Sequence, residues 1–414
     1  MRTPRPFKRV IFVYFCCLAS NPLTGNIASA ACTDLSSVIR TGSEKSEAVK
    51  IENAAIDEAK ARLDSARAGV MPSLALSGSA TQGEDLQTGS KIVVAQPLYK
   101  GGREYALLRA ANAQVEAGQA RAAAANVKAA RDLTSLYFST LGAQAEVAAL
   151  NDLRSLSERR YSEIKSRVAI GKSRATDGLG AEAQVSSARA QLDAAKIQFE
   201  SVRRSMDSAT GLKVDSVCDT PLLESPVADW QQVRVKVLSR PDMIAERIAL
   251  EVAKESVNAA RAGHMPNIDL SGNYYLKRSD SRSAGSNWDV TLSASLPIFS
   301  GGGVNAAVRE AKSVEVQQSL RQQLAERMAL DEARDLWERY VASQKQNALF
   351  DESAKKSDAY YRRVAQDERL GLATSLETLQ ALTSAIDARR TAVKARVQLG
   401  QTLHTLLLAM GNSP

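Results

Sequence analysis

Residues 66–79 read ARAGVMPSLALSGS and residues 260–273 read ARAGHMPNIDLSGN, so one stretch occurs twice in this chain of 414 residues, 194 positions apart. The match persists downstream. QPLYKGG at 96–102 is answered by LPIFSGG at 296–302, and AIGKSRATDGLGA at 169–181 by RLGLATSLETLQA at 369–381, both now offset by 200. Six residues were therefore added between the paired prolines. A period this long lies far beyond the ~20–50 residues of solenoid repeats, so the doubled unit is the size of a domain. Whatever the first half folds into, the second half repeats.

Prolines punctuate that unit. None falls between Pro97 and Pro221 or between Pro297 and Pro414, and both tracts are rich in Ala, Leu, Gln, Arg and Glu, the good helix formers. The pattern predicts helices over 40–69, 103–170, 174–210, 229–263 and 304–370, with a last one reaching about 410. Apolar residues at three- and four-residue steps, such as Tyr161-Ile164-Val168 and Leu320-Leu324-Met328, give the long helices a coiled-coil-like seam. Gly171 and Gly371 break them at hairpin tips. The period changes to two over 72–98 and 266–298, where Leu74, Leu76 and Gly78, and Ile268, Leu270, Gly272 and Tyr274, alternate with polar residues. Each such segment predicts a hairpin of membrane-length strands, about ten residues apiece.

Helix lengths constrain the architecture. A helix of ~67 residues is roughly 100 Å long, and the returning helices are roughly 45 Å too short to match it. Helices 40–69 and 229–262 fill that deficit if they stack on the returning helices, 229–262 following the first return and the last helix stacking on the first. Four strands cannot close a barrel, and lipid does not tolerate open edges, so closure requires several chains. Three chains would give twelve strands.

The first thirty residues read as a signal peptide: Arg2, Arg5, Lys8 and Arg9, an apolar run over 10–20, and Ala28-Ser29-Ala30 as a cleavage site. Of the net charge of +8, the leader holds +4 and leaves +4, with both signs interspersed along the helices; this gives no footprint for nucleic acid. Beyond the leader only Cys32 and Cys218 remain. A disulfide between them, two unpaired thiols, and lipidation of Cys32 are three open alternatives.

The boundaries that follow are a signal peptide over 1–30, a first repeat over 31–227 with its tip near 171, and a second over 228–414 with its tip near 371. The fold class is mainly α with membrane β.

Taken in order and twice, the MPSLALSG and MPNIDLSG strand entries, the QPLYKGG and LPIFSGG strand exits, and the IGKSRATDGLGA and LGLATSLETLQA tips resemble the TolC-type outer-membrane channel family. The resemblance covers nearly all of the chain after the leader. It implies a homotrimer in the bacterial outer membrane, with a helical tunnel in the periplasm. It further implies docking to a periplasmic adaptor and an inner-membrane pump, ABC-type or proton-driven, for type I protein secretion or small-molecule efflux. The tip residues that resemble the adaptor-docking grooves are Ile170, Gly171 and Lys172 in the first copy, and Leu370, Gly371, Leu372, Ala373 and Thr374 in the second. Asp177 and Glu377 stand where the family places acidic residues lining the periplasmic aperture. Ala373 stands where the family prototype has a basic residue in its closed-state lock, so a lock here would use other residues, with Lys172 and Arg174 as candidates.

Enzymatic chemistry has little to stand on. His264 and His404, the only histidines, lie in no metal-ligand spacing, and Gly301-Gly302-Gly303 lacks the Lys-Ser/Thr of a phosphate loop. No cofactor is expected. The competing class is a secreted structural coiled coil, which explains the long helices but not the doubled strands and tips.

Overall fold

The computed structural model describes residues 32–82, 86–219, 229–277 and 286–411. The expected signal peptide over 1–30 and residues 220–228 of the segment joining the two repeats lie outside them. Two helices open the described chain, α1 (Leu35–Lys45) and α2 (Glu47–Ala68), followed by strands β1 (Ser73–Gln82) and β2 (Leu86–Lys100) and helices α3 (Arg103–Ala169) and α4 (Ala175–Thr210). The order then recurs: α5 (Trp230–Leu238), α6 (Pro241–Arg261), a 3-10 turn, β3 (Asn267–Lys277), β4 (Trp288–Ser295), α7 (Gly303–Arg369) and α8 (Ser375–Ala409). The two long helices have 67 residues each and start 200 positions apart.

Two expected helices are broken. The segment expected over 40–69 divides at Ser46, whose ψ of 119° leaves the helical region, so that Leu35, Val38 and Ile39 of α1 can bury themselves against α3. The segment expected over 229–263 divides before Pro241. That ring occupies the first position of α6 and holds Arg240 extended (ψ 150°), as the residue before a proline must be. The strand expected to end at Leu98 continues to Lys100. The register shifts between Pro97 and Tyr99, which accommodates a residue with no N–H to donate.

The helices pack side by side around α3 and α7. α3 packs against α2 and α4, and also against α6 and α8; α7 packs against α6 and α8. The expected stacking is corrected here. Lys45 at the end of α1 reaches over Gly211 just past α4, while Val233 and Val237 of α5 and Met243 of α6 share a core with Leu399, Leu403 and Leu406 of α8. Each returning helix is thus continued by the opening helices of its own repeat. The reason is local: the segment after Thr210 folds back onto α3, where Val214 and Val217 are fully buried, instead of carrying the chain upward.

At that level Tyr137 of α3 is fully buried and its hydroxyl donates to the Cys218 carbonyl at 2.6 Å. Thr33 and Val217 form a parallel bridge, and Cys32 is disulfide-bonded to Cys218. Of the three alternatives for these cysteines, the structure takes the pairing.

Candidate channel site: the membrane sheet and the helical tips

The strands form one antiparallel sheet in the order β1-β2-β3-β4. Alternation along each strand sorts its side chains onto two faces, and the register aligns them. Leu74 is opposite Val94 and Leu76 opposite Ile92; Ile92 is opposite Tyr274, Leu270 opposite Leu292, and Tyr274 opposite Trp288. That face is apolar over its middle and uncovered, with Leu74 at 74% and Leu292 at 65% exposure, while Thr88, Ser90 and Gln96 share it toward the ends of β2. The other face carries Ser77, Lys91, Asp269, Ser271, Asn273, Asp289 and Thr291. Asn273 donates to Asp289 at 2.9 Å, and the Lys91 ammonium lies 5.9 Å from the centre of the Tyr275 ring. An apolar face and a polar face on strands of this length is the pattern of a barrel wall between lipid and water. The outer edges of β1 and β4 have no strand partner among the described residues.

At the opposite end of the long helices are the two tips, and they share one backbone. Gly171 (φ 72°) donates its N–H to the Val168 carbonyl, and Lys172 donates to Arg167 across five residues; Gly371 (φ 77°) donates to Glu368 and Leu372 to Asp367 in the same way. This closes the helix with a left-handed residue, which glycine adopts without steric cost. An added Cβ at either glycine would meet nothing within 4 Å. Ile170, Leu370 and Leu372 are exposed around these turns.

Asp177 and Glu377 occupy the third position of α4 and α8. There the Glu377 carboxylate accepts the Thr374 N–H at 2.7 Å while the Thr374 hydroxyl accepts the Glu377 N–H at 3.2 Å, a complete capping box. Asp177 accepts the Arg174 N–H at 3.3 Å, and the Arg174 side chain takes no part in that cap. Both carboxylates therefore have a structural task at the start of the returning helices.

The sequence profile of the outer membrane efflux protein family matches residues 43–212 and 236–412. The chain belongs to this family. It is 21% identical over 292 residues to the outer membrane protein TolC of Vibrio cholerae, a match covering 65% of this chain and 66% of that one. It is 30% identical over 271 residues to Protein CyaE of Bordetella pertussis, covering 60% and 56%. The chain thus matches just under two thirds of the first relative's length and little over half of the second's. In three dimensions it superposes on CusC, studied for transmembrane channel formation, with a TM-score of 0.82 over 92% of each chain at 18% identity. Outer membrane efflux proteins are passive channels, not enzymes, and TolC-like channels are homotrimers that work with efflux pumps.

In this family member the residue that draws the two tips together escaped the sequence reading. Glu368, near the end of α7, is buried and accepts hydrogen bonds from Arg160 and Arg167 of α3, the latter at 2.9 Å, and from Ser375 of α8, also at 2.9 Å. Burial pushes its carboxyl up, but the bonds from Arg160, Thr378 and Ser375 and the charge of Arg160 outweigh burial and hold it below the ordinary 4.5. The signal was present in the duplication. Tyr161-Ile164-Val168 in the first copy aligns with Tyr361-Val364-Glu368 in the second, so a carboxylate stands where the repeat predicts an apolar seam residue. A second link between the hairpins lies farther along α3, where Arg390 and Lys394 of α8 both reach Glu146.

The remaining singled-out side chains carry no chemistry. His404 is buried, its Nδ1 2.9 Å from the Gly400 carbonyl, and packs against Phe138. Among the described residues, no cluster of His, Cys, Asp and Glu could hold a metal, and no helix is long and apolar enough to cross a membrane.

Proposed function

We propose that three copies of the chain close edge to edge into a twelve-stranded barrel in the outer membrane, continued by the long helices as a tunnel through the periplasm. The observation that carries this is the sheet, with one face fit for lipid, one fit for water, and two unpaired edges that hydrocarbon would not tolerate. The tunnel's far end, at Ile170, Gly171 and Lys172 and at Leu370, Gly371, Leu372, Ala373 and Thr374, docks a periplasmic adaptor and through it an inner-membrane pump, ABC-type or proton-driven. Exposed apolar side chains around open glycine turns support this, since another helical tip can approach the backbone there. The cargo is a small molecule or a type I-secreted protein. Threefold repetition of Asp177 and Glu377 would place six carboxylates around the tunnel mouth, favouring cations.

Light scattering on the detergent-solubilised protein tests the assembly. A trimer is expected; a monomer or fibre soluble without detergent overturns the duct in favour of the structural coiled coil. For docking, Leu372→Asp is expected to abolish export while leaving the trimer intact, and unchanged export would sink that assignment.

A further inference from the structure

In one chain α3 packs against α2 and α4 and against α6 and α8, whereas among the described residues its repeat equivalent α7 packs against α5, α6 and α8 and has no counterpart of α2 and α4 beside it. On α7 Leu324, Met328, Asp331, Asp335, Glu338 and Ala342 follow each other at steps of four and three residues, all exposed. This is a heptad seam whose middle is acidic. Where α4 meets α1 and α2, an open cavity of about 1050 Å³ is lined by Lys45, Lys50 and Arg204, with Ser46, Ser201 and Ser205, and also by Glu47 and Asp132. Among the described residues none of those three cations makes an ion pair with a carboxylate.

The duplication says how the two regions meet. Inside the chain, α3 crosses α8 with Gln401 donating to Ser135, His404 against Phe138, and Val397 over Gly142. The long helices and the returning helices each recur at an offset of 200. Carrying these pairs one repeat onward, with α7 in place of α3 and α4 in place of α8, sets Asp335 against Ser201, Glu338 against Arg204, and Ala342 against Ile197. Ser201 and Arg204 line the basic cavity, and Ile197 is 70% exposed with nothing over it in the single chain. The same shift brings Glu338 near Glu200, but Glu200 is already held by Arg203 at 2.9 Å. The strands agree with this arrangement, since β1 is the unpaired edge on the α2 side and β4 the one that leads into α7.

We propose that α7 of a second copy of this chain docks along α2 and α4, with Asp331, Asp335 and Glu338 seated in the recess formed by Lys45, Lys50 and Arg204. Asp335 and Glu338 already hold Arg339 at 2.8 Å and Arg334 at 2.5 Å on their own helix, exposed pairs of little worth. The acidic stretch fixes the axial register between copies because this register adds Lys45, Lys50 and Arg204 to them, and sliding by one heptad would forgo those cations. The inference rests on the multi-chain duct proposed above and assigns the contact that aligns it.

The test uses two single-cysteine variants of the full chain, Ile197→Cys and Ala342→Cys, mixed in detergent and oxidised. The native cysteines are already paired with each other. A covalent dimer joining one variant to the other is expected. Arg204→Glu and Glu338→Arg should each cut its yield about tenfold, and the double exchange should restore it to within about twofold, as charge pairs across an interface do. A trimer by light scattering that forms no such crosslink overturns the register while leaving the duct standing. A monomer by light scattering overturns both.

Discussion

The two helical tips are built on one backbone and finished with different side chains. Both end a 67-residue helix with a glycine at positive φ and the same pair of turn hydrogen bonds. Yet Val168 in the first becomes Glu368 in the second, Lys172 becomes Leu372, and Arg174 becomes Thr374. The turn geometry is dictated by chain reversal and survives duplication. The side chains answer to whatever lies beside each tip, and only the second has Arg160 and Arg167 converging on it.

That contrast is most sharply broken by making the second tip read like the first. Glu368→Val leaves Arg160, whose side chain is only 10% exposed, without its main partner, and is expected to cost about 3 kcal/mol, whereas Val168→Ala costs about 1 kcal/mol. Thermal unfolding of the two variants measures the difference. Next in size is acid sensitivity. Because the folded-state value of Glu368 is depressed, its contribution is fully present above the ordinary 4.5 and is lost as pH falls below that through the lowered value. Between about pH 6 and about pH 3, Tm should fall less in Glu368→Gln than in the parent; parallel curves would refute the linkage.

The shared part of the comparison predicts equality. Gly171→Ala and Gly371→Ala should each cost about 1 kcal/mol, since both need positive φ and neither meets a neighbour. A large inequality in their Tm shifts would show that the turns are not equivalent. The smallest contrast lies one turn on. Thr374→Ala removes a hydroxyl cap and should cost roughly 0.5–1 kcal/mol, while Arg174→Ala, which loses no cap, should leave Tm within about 1 °C.

Much of the architecture was legible because it is periodic. The ends of α3, α4, α7 and α8 fall within a residue or two of where glycine and the loss of helical period put them, and β1, β3 and β4 begin where alternation does, whereas β2 begins at Leu86, four residues before the Ser90 where alternation put it. The misses arose where a local rule was overridden or passed over. Pro241 announced a break that the surrounding helical composition concealed. Ser46 gave no such warning, because its break serves the burial of Leu35, Val38 and Ile39 on a helix remote in sequence. Stacking order depends on where the segment after Thr210 folds, and no periodicity encodes that. Thr374-Ser-Leu-Glu377 spelled a capping box in plain sight, so Glu377 has a second task besides any at the tunnel mouth. Glu368 was visible only as a mismatch between copies, and its meaning needed Arg160, more than two hundred residues earlier, to be brought alongside.

The bond between Cys32 and Cys218 also sets a schedule. The cysteines are 186 positions apart, and the later one lies just past α4. A chain delivered across the inner membrane amino end first exposes Cys32 to the periplasmic oxidants long before its partner arrives. The bond can form only once the first long hairpin has emerged complete, and it then ties the start of that hairpin's neighbour to its end. The loop it closes contains α1 to α4 and no residue of the second repeat, so the oxidant's reach ends where the duplication begins.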